Sequence, residues 1–362
     1  MSENVLVKVN RPLHWFAVLT ALFTFLLLGA GGLVTSHEAG MSVPDWPNSY
    51  GYNMFLFPPS QWIGGIFYEH THRLIASGVG LMTTILAVWL WLRDSRKWMH
   101  RLGLTAFLLV VVQGVLGGLR VVLADAQLGI YHAIVGQLFF VLTAAIALFT
   151  SPWWMAHASP RPDRISGQKA ADLMVLRRLV LATTVLILCQ LIIAATMRQQ
   201  HAGLAIPDFP LAYGKIWPDT TPAAVQSYNE HRLNVIAENP VTAFQIVLQM
   251  VHRLVALAIF ILTVTCAWQA RRRLGKSDPL AKLALFWLGL ILAQILLGAA
   301  TIWSNKAADV ATALVLGGAL SLVTGALWCA IAFRRSAALP EIAPATTISG
   351  AYGGAPVMAA NK

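Results

Sequence analysis

The amino-acid sequence predicts an all-α integral membrane protein with eight transmembrane helices, arranged as two tandem, pseudo-symmetric four-helix bundles. Three observations predict this fold: an apolar composition, eight long apolar runs, and an internal repeat that spans four runs. Of the 362 residues, 57% are hydrophobic and only 11% are charged. A soluble domain has about 25% charged residues, so the composition alone indicates a membrane protein.

Each apolar run is long enough to cross a bilayer as a helix, which requires about 20 residues. A helix satisfies its own backbone hydrogen bonds inside the hydrocarbon, and the alternating pattern of a membrane β-barrel is absent. The first run is too long for the apolar part of a typical signal peptide, so we expect it to remain as a span. The runs are residues 14–35, 73–92, 102–123, 127–150, 176–197, 246–270, 282–303 and 310–333.

Basic residues are concentrated in alternate loops, and this pattern predicts the orientation of the chain. The net charge of +11 therefore indicates membrane topology and not nucleic-acid binding. By the positive-inside rule both termini lie on the cytoplasmic or matrix side, and the loops at 36–72, 124–126, 198–245 and 304–309 face outward. We expect the protein in a bacterial cell membrane or in the inner mitochondrial membrane.

Segments of the first half recur in the same order in the second half. PDWPNSYG at 44–51 recurs as PDFPLAYG at 207–214, and HRL at 72–74 recurs as HRL at 252–254. Because each half has four spans, both halves enter the membrane in the same direction, unlike the inverted repeats of many transporters. The two Pro-Asp-aromatic-Pro segments predict rigid outward turns with interfacial aromatic anchors, and direct contact with a ligand is the alternative. The predicted units are a first bundle at 1–150, a cytoplasmic linker at 151–175, a second bundle at 176–335 and a flexible tail at 336–362.

Three histidines, His72, His132 and His252, lie at the outward ends of even-numbered spans. An ionisable residue inside a membrane is a functional hypothesis by default, although a single histidine often only satisfies a hydrogen bond. Helix bundles hold metals and cofactors with side chains from facing helices. Zinc prefers four convergent ligands, whereas two imidazoles from opposite helices are typical of haem. The pattern therefore predicts that these histidines are axial ligands of haem iron.

Charged residues accompany these histidines and predict separate roles. Arg73 and Arg253, each directly after a predicted ligand, are expected to pair with haem propionates, and snorkelling at a helix end is the alternative. Glu69 lies three residues before His72 on the same helix face, so both can address one site. The second half has Gln249 at the position of Glu69. Because a carboxylate beside a haem can shuttle a proton or stabilise a cation, we expect the chemistry in the first half.

The second half has no counterpart of His132. Alignment of the two QxxxG segments of the third and seventh spans places His132 opposite Ala313 and next to Leu314. Neither side chain binds iron, so the second half offers His252 alone. His70 points away from the predicted ligands on a helical wheel and is expected at the rim or in a structural role.

These features resemble the haem A synthase family, also called Cox15/CtaA, over nearly the whole chain. The similarity runs from about Gly31 to about Phe333. The residues that carry it are Gly31-Gly32-Leu33-Val34, Pro44-Asp45-Trp46-Pro47, Glu69-x-x-His72-Arg73, Gly117-Gly118-Leu119, His132, Pro207-Asp208-Phe209-Pro210 and His252-Arg253.

The resemblance implies an enzyme that oxidises the C8 methyl group of haem O to the formyl group of haem A for terminal oxidases. It implies that His72 and His132 hold the substrate haem, with Glu69 as the catalytic carboxylate. The second half would hold a prosthetic haem b that relays electrons. The family usually has a fourth histidine in its last span, where this chain reads VATAL at 310–314. Haem b bound through His252 alone, haem b with another ligand, and no haem b all stay open.

The expected partners are haem O, an electron donor and the lipid bilayer. Haem O synthase, oxidase assembly proteins and a second copy of the chain are further candidates, and no nucleic acid is expected. Two other functions are considered. A non-catalytic haem-binding membrane cytochrome or oxidase-assembly factor is favoured by the missing ligand. A transporter with parallel repeats would bind no haem.

Overall fold

The protein is all-helical in a computed structural model that describes residues 9–125, 127–156, 167–232 and 240–337. Eight of the helices are long and apolar enough to cross a membrane, which confirms the predicted class and the eight spans. The described residues contain no β-strand, only isolated bridges in the outer loops. In chain order the helices are α1 (Arg11–Ser36), α2 (Gly64–Arg93), α3 (Lys97–Val122), α4 (Leu128–Thr150), α5 (Pro152–Ala156), α6 (Gly167–Gln199), α7 (Pro222–Glu230), α8 (Ala243–Leu274), α9 (Pro279–Trp303) and α10 (Ala308–Ala337).

Several spans begin at polar caps that satisfy the first free backbone N–H groups. Oδ1 of Asn10 accepts a hydrogen bond from the backbone N–H of Leu13 (3.1 Å) at the start of α1. Thr242 and Gln245 form a capping box at the start of α8. The side chain of Asp278 caps α9. The starts of α1, α8 and α9 are therefore defined by these polar caps and not by the first apolar residue of each run.

Helix α2 begins at Gly64, earlier than the apolar run predicted, so the segment that contains Glu69 and His70 is helical. The prediction placed this start too late because it followed the apolar residues alone. Polar side chains in the first turns are tolerated because the outer loop satisfies them. Glu69 accepts a hydrogen bond from the backbone of Val43, and Nδ1 of His70 lies 3.1 Å from Oγ of Ser49.

The spans pack as two groups of four. Helices α1, α2, α3 and α4 pack in a closed cycle, and α6, α8, α9 and α10 do the same. Contacts of α10 with α1 and α4, and of α4 with α6, join the groups. The symmetry axis, the orientation of the termini and the predicted domain boundaries stay predictions. The predicted linker at 151–175 lies partly, and the tail at 336–362 almost entirely, outside the described residues.

The dense core of each group lies near the end that is predicted to be cytoplasmic. In the first group it includes Leu13, Leu86 and Met99, and in the second group it includes Trp287 and Trp328. The indole N–H of Trp287 donates to the Ser321 carbonyl (2.8 Å), so this bulky residue is buried with its polar atom satisfied. The outer ends of the same helices are less tightly filled, and the functional site lies there.

Candidate functional site: a histidine-lined cavity

A cavity of about 2060 Å³ occupies the outer half of the helix bundles and is lined by residues of both groups. Ligand pockets commonly enclose about 300–1,000 Å³, so this cavity has room for more than one large group. Its walls are mainly apolar, with a few polar groups. The predicted site residues that line it are Glu69, His72, Arg73, His132, His252 and Arg253.

His72 of α2 and His132 of α4 form a pair across the first half of the cavity. Their ring centres are 6.5 Å apart and their planes are inclined at 78°. The Nδ1 atom of each ring is buried and has no hydrogen-bond partner. A bond from imidazole nitrogen to a metal ion is about 2.0–2.1 Å long, so two axial imidazoles place their ring centres roughly 6.5 Å apart. The pair therefore fits a single haem iron between the two rings.

Two glycines make room for this pair. A Cβ atom at Gly31 of α1 would lie 3.1 Å from Cε1 of His72, and one at Gly117 of α3 would lie 3.2 Å from Cε1 of His132. Each glycine therefore lets a neighbouring helix pack directly against an imidazole and restricts its rotation.

The second half of the cavity has a different ligand set. Nδ1 of His252 is buried without a hydrogen-bond partner, as in the first pair. Nε2 of Gln113 donates to the carbonyl of His132 (2.9 Å), and Nε2 of Gln294 donates to the carbonyl of Leu314 (3.1 Å). The structural counterpart of His132 is thus Leu314, one residue beyond the Ala313 that alignment placed there. Gln294 and Leu314 are 20 residues apart, one more than Gln113 and His132, and the side chain at the ligand position is still apolar.

Clusters of other metal ligands do not occur in the described part of the chain. It contains no group of three or more His, Cys, Asp or Glu side chains that could hold a metal ion. The donor set that remains, two imidazoles from facing helices, is one that suits haem and does not suit structural zinc.

Glu69 lies beside the histidine pair and is almost completely buried, with 4% of its surface exposed. One carboxylate oxygen pairs with Nη2 of Arg73 (2.8 Å), and the other accepts from the backbone N–H of Val43 (2.8 Å). Gln249 occupies the same place in the second half, where its Oε1 accepts from the N–H of Ile206 (2.7 Å). The two halves thus share this contact, and only the first supplies a carboxylate.

Arg73 and Arg253 hold the outer loops against the helices. Nη1 of Arg73 donates to the carbonyls of Asp45 (2.7 Å) and Asn48 (3.1 Å), and Nη2 donates to that of Val43 (2.8 Å). Arg253 donates to the carbonyl of Asp208 (2.8 Å) in the same way. Both guanidinium groups also line the cavity, and their pairing with haem propionates stays a prediction.

The Pro-Asp-aromatic-Pro loops are ordered turns at the outer side of the cavity. The Asp45 carboxylate accepts from the backbone N–H groups of Tyr50 (2.7 Å) and Gly51 (2.8 Å). Partial burial alone would raise the pKa of Asp45, but these hydrogen bonds and Arg73 outweigh it and lower the pKa below its ordinary value. Asp208 makes the matching contacts in the second loop.

The aromatic residues of these loops reach the cavity. The Trp46 ring packs on α3 at Gly118, where a Cβ atom would lie 2.3 Å from Cδ2 of the ring. Trp46 and Phe209 both line the cavity. The sequence predicted an anchoring role, with ligand contact as the alternative. In the structure the positions of Trp46 and Phe209 are compatible with both roles.

A family model described as "Cytochrome oxidase assembly protein", COX15-CtaA, matches residues 60–326, which is most of the chain. The chain belongs to the COX15-CtaA family. It is 28% identical to Heme A synthase of Beijerinckia indica subsp. indica over 360 residues, covering 89% of this chain and 94% of that protein. It is 25% identical to Heme A synthase of Shewanella oneidensis, with 86% and 94% covered, and 30% identical to that of Methylobacterium sp. (strain 4-46), with 70% and 68% covered.

Membership of the COX15-CtaA family agrees with the resemblance read from the sequence. Together with the eight apolar helices, it makes the chain a multi-pass membrane protein. The alternative of a transporter with parallel repeats gains no support from these relatives.

The cavity-lining arginines that sequence reasoning missed include Arg120 of α3 and Arg198 of α6. Nη2 of Arg198 donates to the carbonyl of Gly32 (3.0 Å) and so joins α6 to α1. Both arginines lie at the outward ends of spans, where the positive-inside rule expects few basic residues. That exception was the signal that could have identified them.

His201 and His231 of the second outer loop also line the cavity. Two further histidines near the site have structural contacts. His70 is fully buried and packs against Phe57 and Trp62 of the outer loop, which agrees with the structural role expected for it. His37 stacks on Tyr68 with ring centres 3.9 Å apart. These contacts of His70 and His37 do not involve His72 or His132.

Proposed function

We propose that this COX15-CtaA family member oxidises a methyl group of haem O to a formyl group, as a step of haem A biosynthesis for cytochrome oxidase. The observation that carries the proposal is the pair of imidazoles at 6.5 Å beside the buried carboxylate of Glu69. The relatives named Heme A synthase, which align over most of the chain, support the same reaction.

The first half would hold the substrate haem. His72 and His132 would bind its iron from opposite faces, since their separation suits two axial ligands. Gly31 and Gly117 restrict the two rings and so reduce the reorganisation that ligation requires. The apolar walls of the cavity would cover the macrocycle and exclude water from its faces.

Glu69 would be the catalytic carboxylate. Arg73 and the Val43 N–H fix both of its oxygens, so the group is held in one orientation next to His72. From there it can accept a proton from the reacting side of the substrate, or stabilise positive charge that develops there. The neutral amide of Gln249 cannot act as a base and carries no negative charge. We therefore assign the reaction to the first half.

The second half would hold a haem b that supplies one-electron transfer when it is bound. His252 would be its protein ligand, and Leu314 on the facing helix offers no second donor atom. We therefore propose that His252 would hold haem b from this side of the cavity. An electron donor, haem O synthase, oxidase assembly proteins and a second copy of the chain are the proposed partners.

Co-expression with a source of haem O tests the proposal. Haems extracted from membranes are separated by chromatography, and we expect haem A only when the parent chain is present. A His132→Ala variant should yield haem O alone. If the purified parent binds haem but only haem O accumulates, the proposal is wrong.

A second candidate function is that of a non-catalytic haem-binding cytochrome or assembly factor. The apolar Leu314 at a ligand position favours it. The carboxylate at Glu69 favours the enzyme. A Glu69→Gln substitution separates the two, because a non-catalytic protein would behave like the parent.

A further inference from the structure

Arg120 is a cation of the cavity wall that has no side-chain partner among the described residues. It lies in the last turn of α3 and lines the cavity, and its Nε atom is buried without a hydrogen-bond partner. In the part of the chain that the structure describes, its guanidinium group forms no hydrogen bond and no ion pair. A cation at membrane depth is costly unless it is paired, so an unpaired one points to a missing anion.

Two glycines, Gly40 and Gly129, lie against the Arg120 side chain and leave room for its guanidinium group. A Cβ atom at Gly40 of the outer loop would lie 2.6 Å from Nη2 of Arg120, and one at Gly129 of α4 would lie 3.4 Å from Nε. A side chain at Gly40 would displace the guanidinium. Arg120 lines the same cavity as His72 and His132.

Four other charged groups of the cavity are already engaged. Arg73 and Arg253 donate to loop carbonyls, and Arg198 donates to α1. The Glu69 carboxylate is satisfied by Arg73 and by a backbone N–H, and it is not within ion-pair distance of Arg120. The described residues therefore leave no anion for Arg120, and a carboxylate of a bound ligand is the group that we consider.

We infer that Arg120 binds a propionate carboxylate of the haem held between His72 and His132, an inference that rests on the proposed function. A guanidinium group matches a carboxylate with two parallel hydrogen bonds. The position that corresponds to Arg120 in the second half is Thr301, whose hydroxyl donates to Leu297 within its own helix. The carboxylate contact thus distinguishes the first site from the second and fixes which edge of the substrate faces outward.

The experiment compares a haem that has free propionates with one in which they are masked. Full-length protein that carries His252→Ala, so that the first site is titrated alone, is prepared from haem-deficient cells and reconstituted in nanodiscs. Its affinity is measured for haem b and for haem b dimethyl ester, in the parent background and in Arg120→Leu, Arg120→Lys and Arg101→Leu. Arg101 is an exposed arginine at the opposite end of α3 and serves as the matched control.

We expect Arg120→Leu to weaken binding of haem b by about 10- to 100-fold, the loss of one charge-assisted contact. Binding of the dimethyl ester should change by less than threefold, Arg120→Lys should lie between, and Arg101→Leu should match the parent. Equal losses for both haems, or no loss for either, would overturn the inference. Formation of haem A is measured separately in the chain that keeps His252. If that chain makes haem A but haem b binding does not depend on Arg120, only this inference is contradicted. If the binding pattern is as expected but that chain makes no haem A, the proposed function is contradicted instead.

Discussion

Replacing Glu69 with glutamine removes the carboxylate of the first site while it keeps the shape of the side chain. The second half indicates how the neutral group would be accommodated. There Gln249 accepts from the N–H of Ile206 (2.7 Å) and donates to the carbonyl of Gly203 (3.2 Å). We therefore expect Glu69→Gln to keep the hydrogen bond from Val43 and to lose the ion pair with Arg73.

The structural cost of this change is small compared with its effect on the reaction. Arg73 still donates hydrogen bonds to the carbonyl groups of Val43, Asp45 and Asn48, so its guanidinium group is not left without partners. The free energy of unfolding should fall by about 1.5–3 kcal/mol, the contribution of a charged hydrogen bond. Loss of a catalytic carboxylate lowers the rate by about 10²- to 10⁴-fold, or about 2.7–5.4 kcal/mol of activation free energy.

The assay is the ratio of haem A to haem O extracted from membranes, measured together with total haem per chain. We expect Glu69→Gln to retain at least about half of the haem and to lower formation of haem A by about 100-fold or more. Gln249→Glu is the matched control, since it adds a carboxylate to the second half, and it should leave haem A formation near the parent level. A Glu69→Gln protein with haem A output within threefold of the parent would refute the assignment of Glu69.

Three further substitutions test the site at other points. Gly117→Ala should weaken haem binding to the first site by about tenfold, because the new Cβ would lie 3.2 Å from Cε1 of His132. Gly298→Ala is the control and should not change this affinity, because no atom lies within 4 Å of its Cβ position. Equal affinities of the two variants in a haem titration would contradict this prediction. Leu314→His should convert a high-spin haem at His252 into a low-spin one, and an unchanged absorption spectrum would argue against that site. Asp45→Asn should make the first outer loop more sensitive to protease at neutral pH. Because the pKa of Asp45 is lowered from 3.8, its carboxylate stabilises the loop above about pH 3.8 and ceases to do so as the pH falls through the lowered pKa, so the parent loop should loosen only at those acidic values.

The eight spans and the ligand histidines could be predicted because each depends on a local pattern. Long apolar runs fix the spans, and ionisable residues inside them are conspicuous. Helical spacing then relates Glu69 to His72 without any knowledge of tertiary structure. The repeat added the comparison with Gln249, which separates the two halves.

Other features depended on contacts that the sequence does not encode locally. The early start of α2 at Gly64 relies on hydrogen bonds from a distant loop. The loop-holding contacts of Arg73 could not be distinguished from propionate binding, since both use the same donor groups. The register of Leu314 is defined by its hydrogen bond from Gln294, and the surroundings of Arg120 are visible only once its neighbours are placed.

The most direct test of the central claim is the spin state of the haem in a purified His252→Ala variant, measured by electron paramagnetic resonance. The second site then lacks its proposed ligand, and adding His132→Ala shows whether a bis-imidazole signal comes from His72 and His132. We predict close to one low-spin, bis-imidazole haem per chain, and its loss when His132→Ala is added. A His252→Ala protein that is folded but shows no low-spin haem would contradict the account.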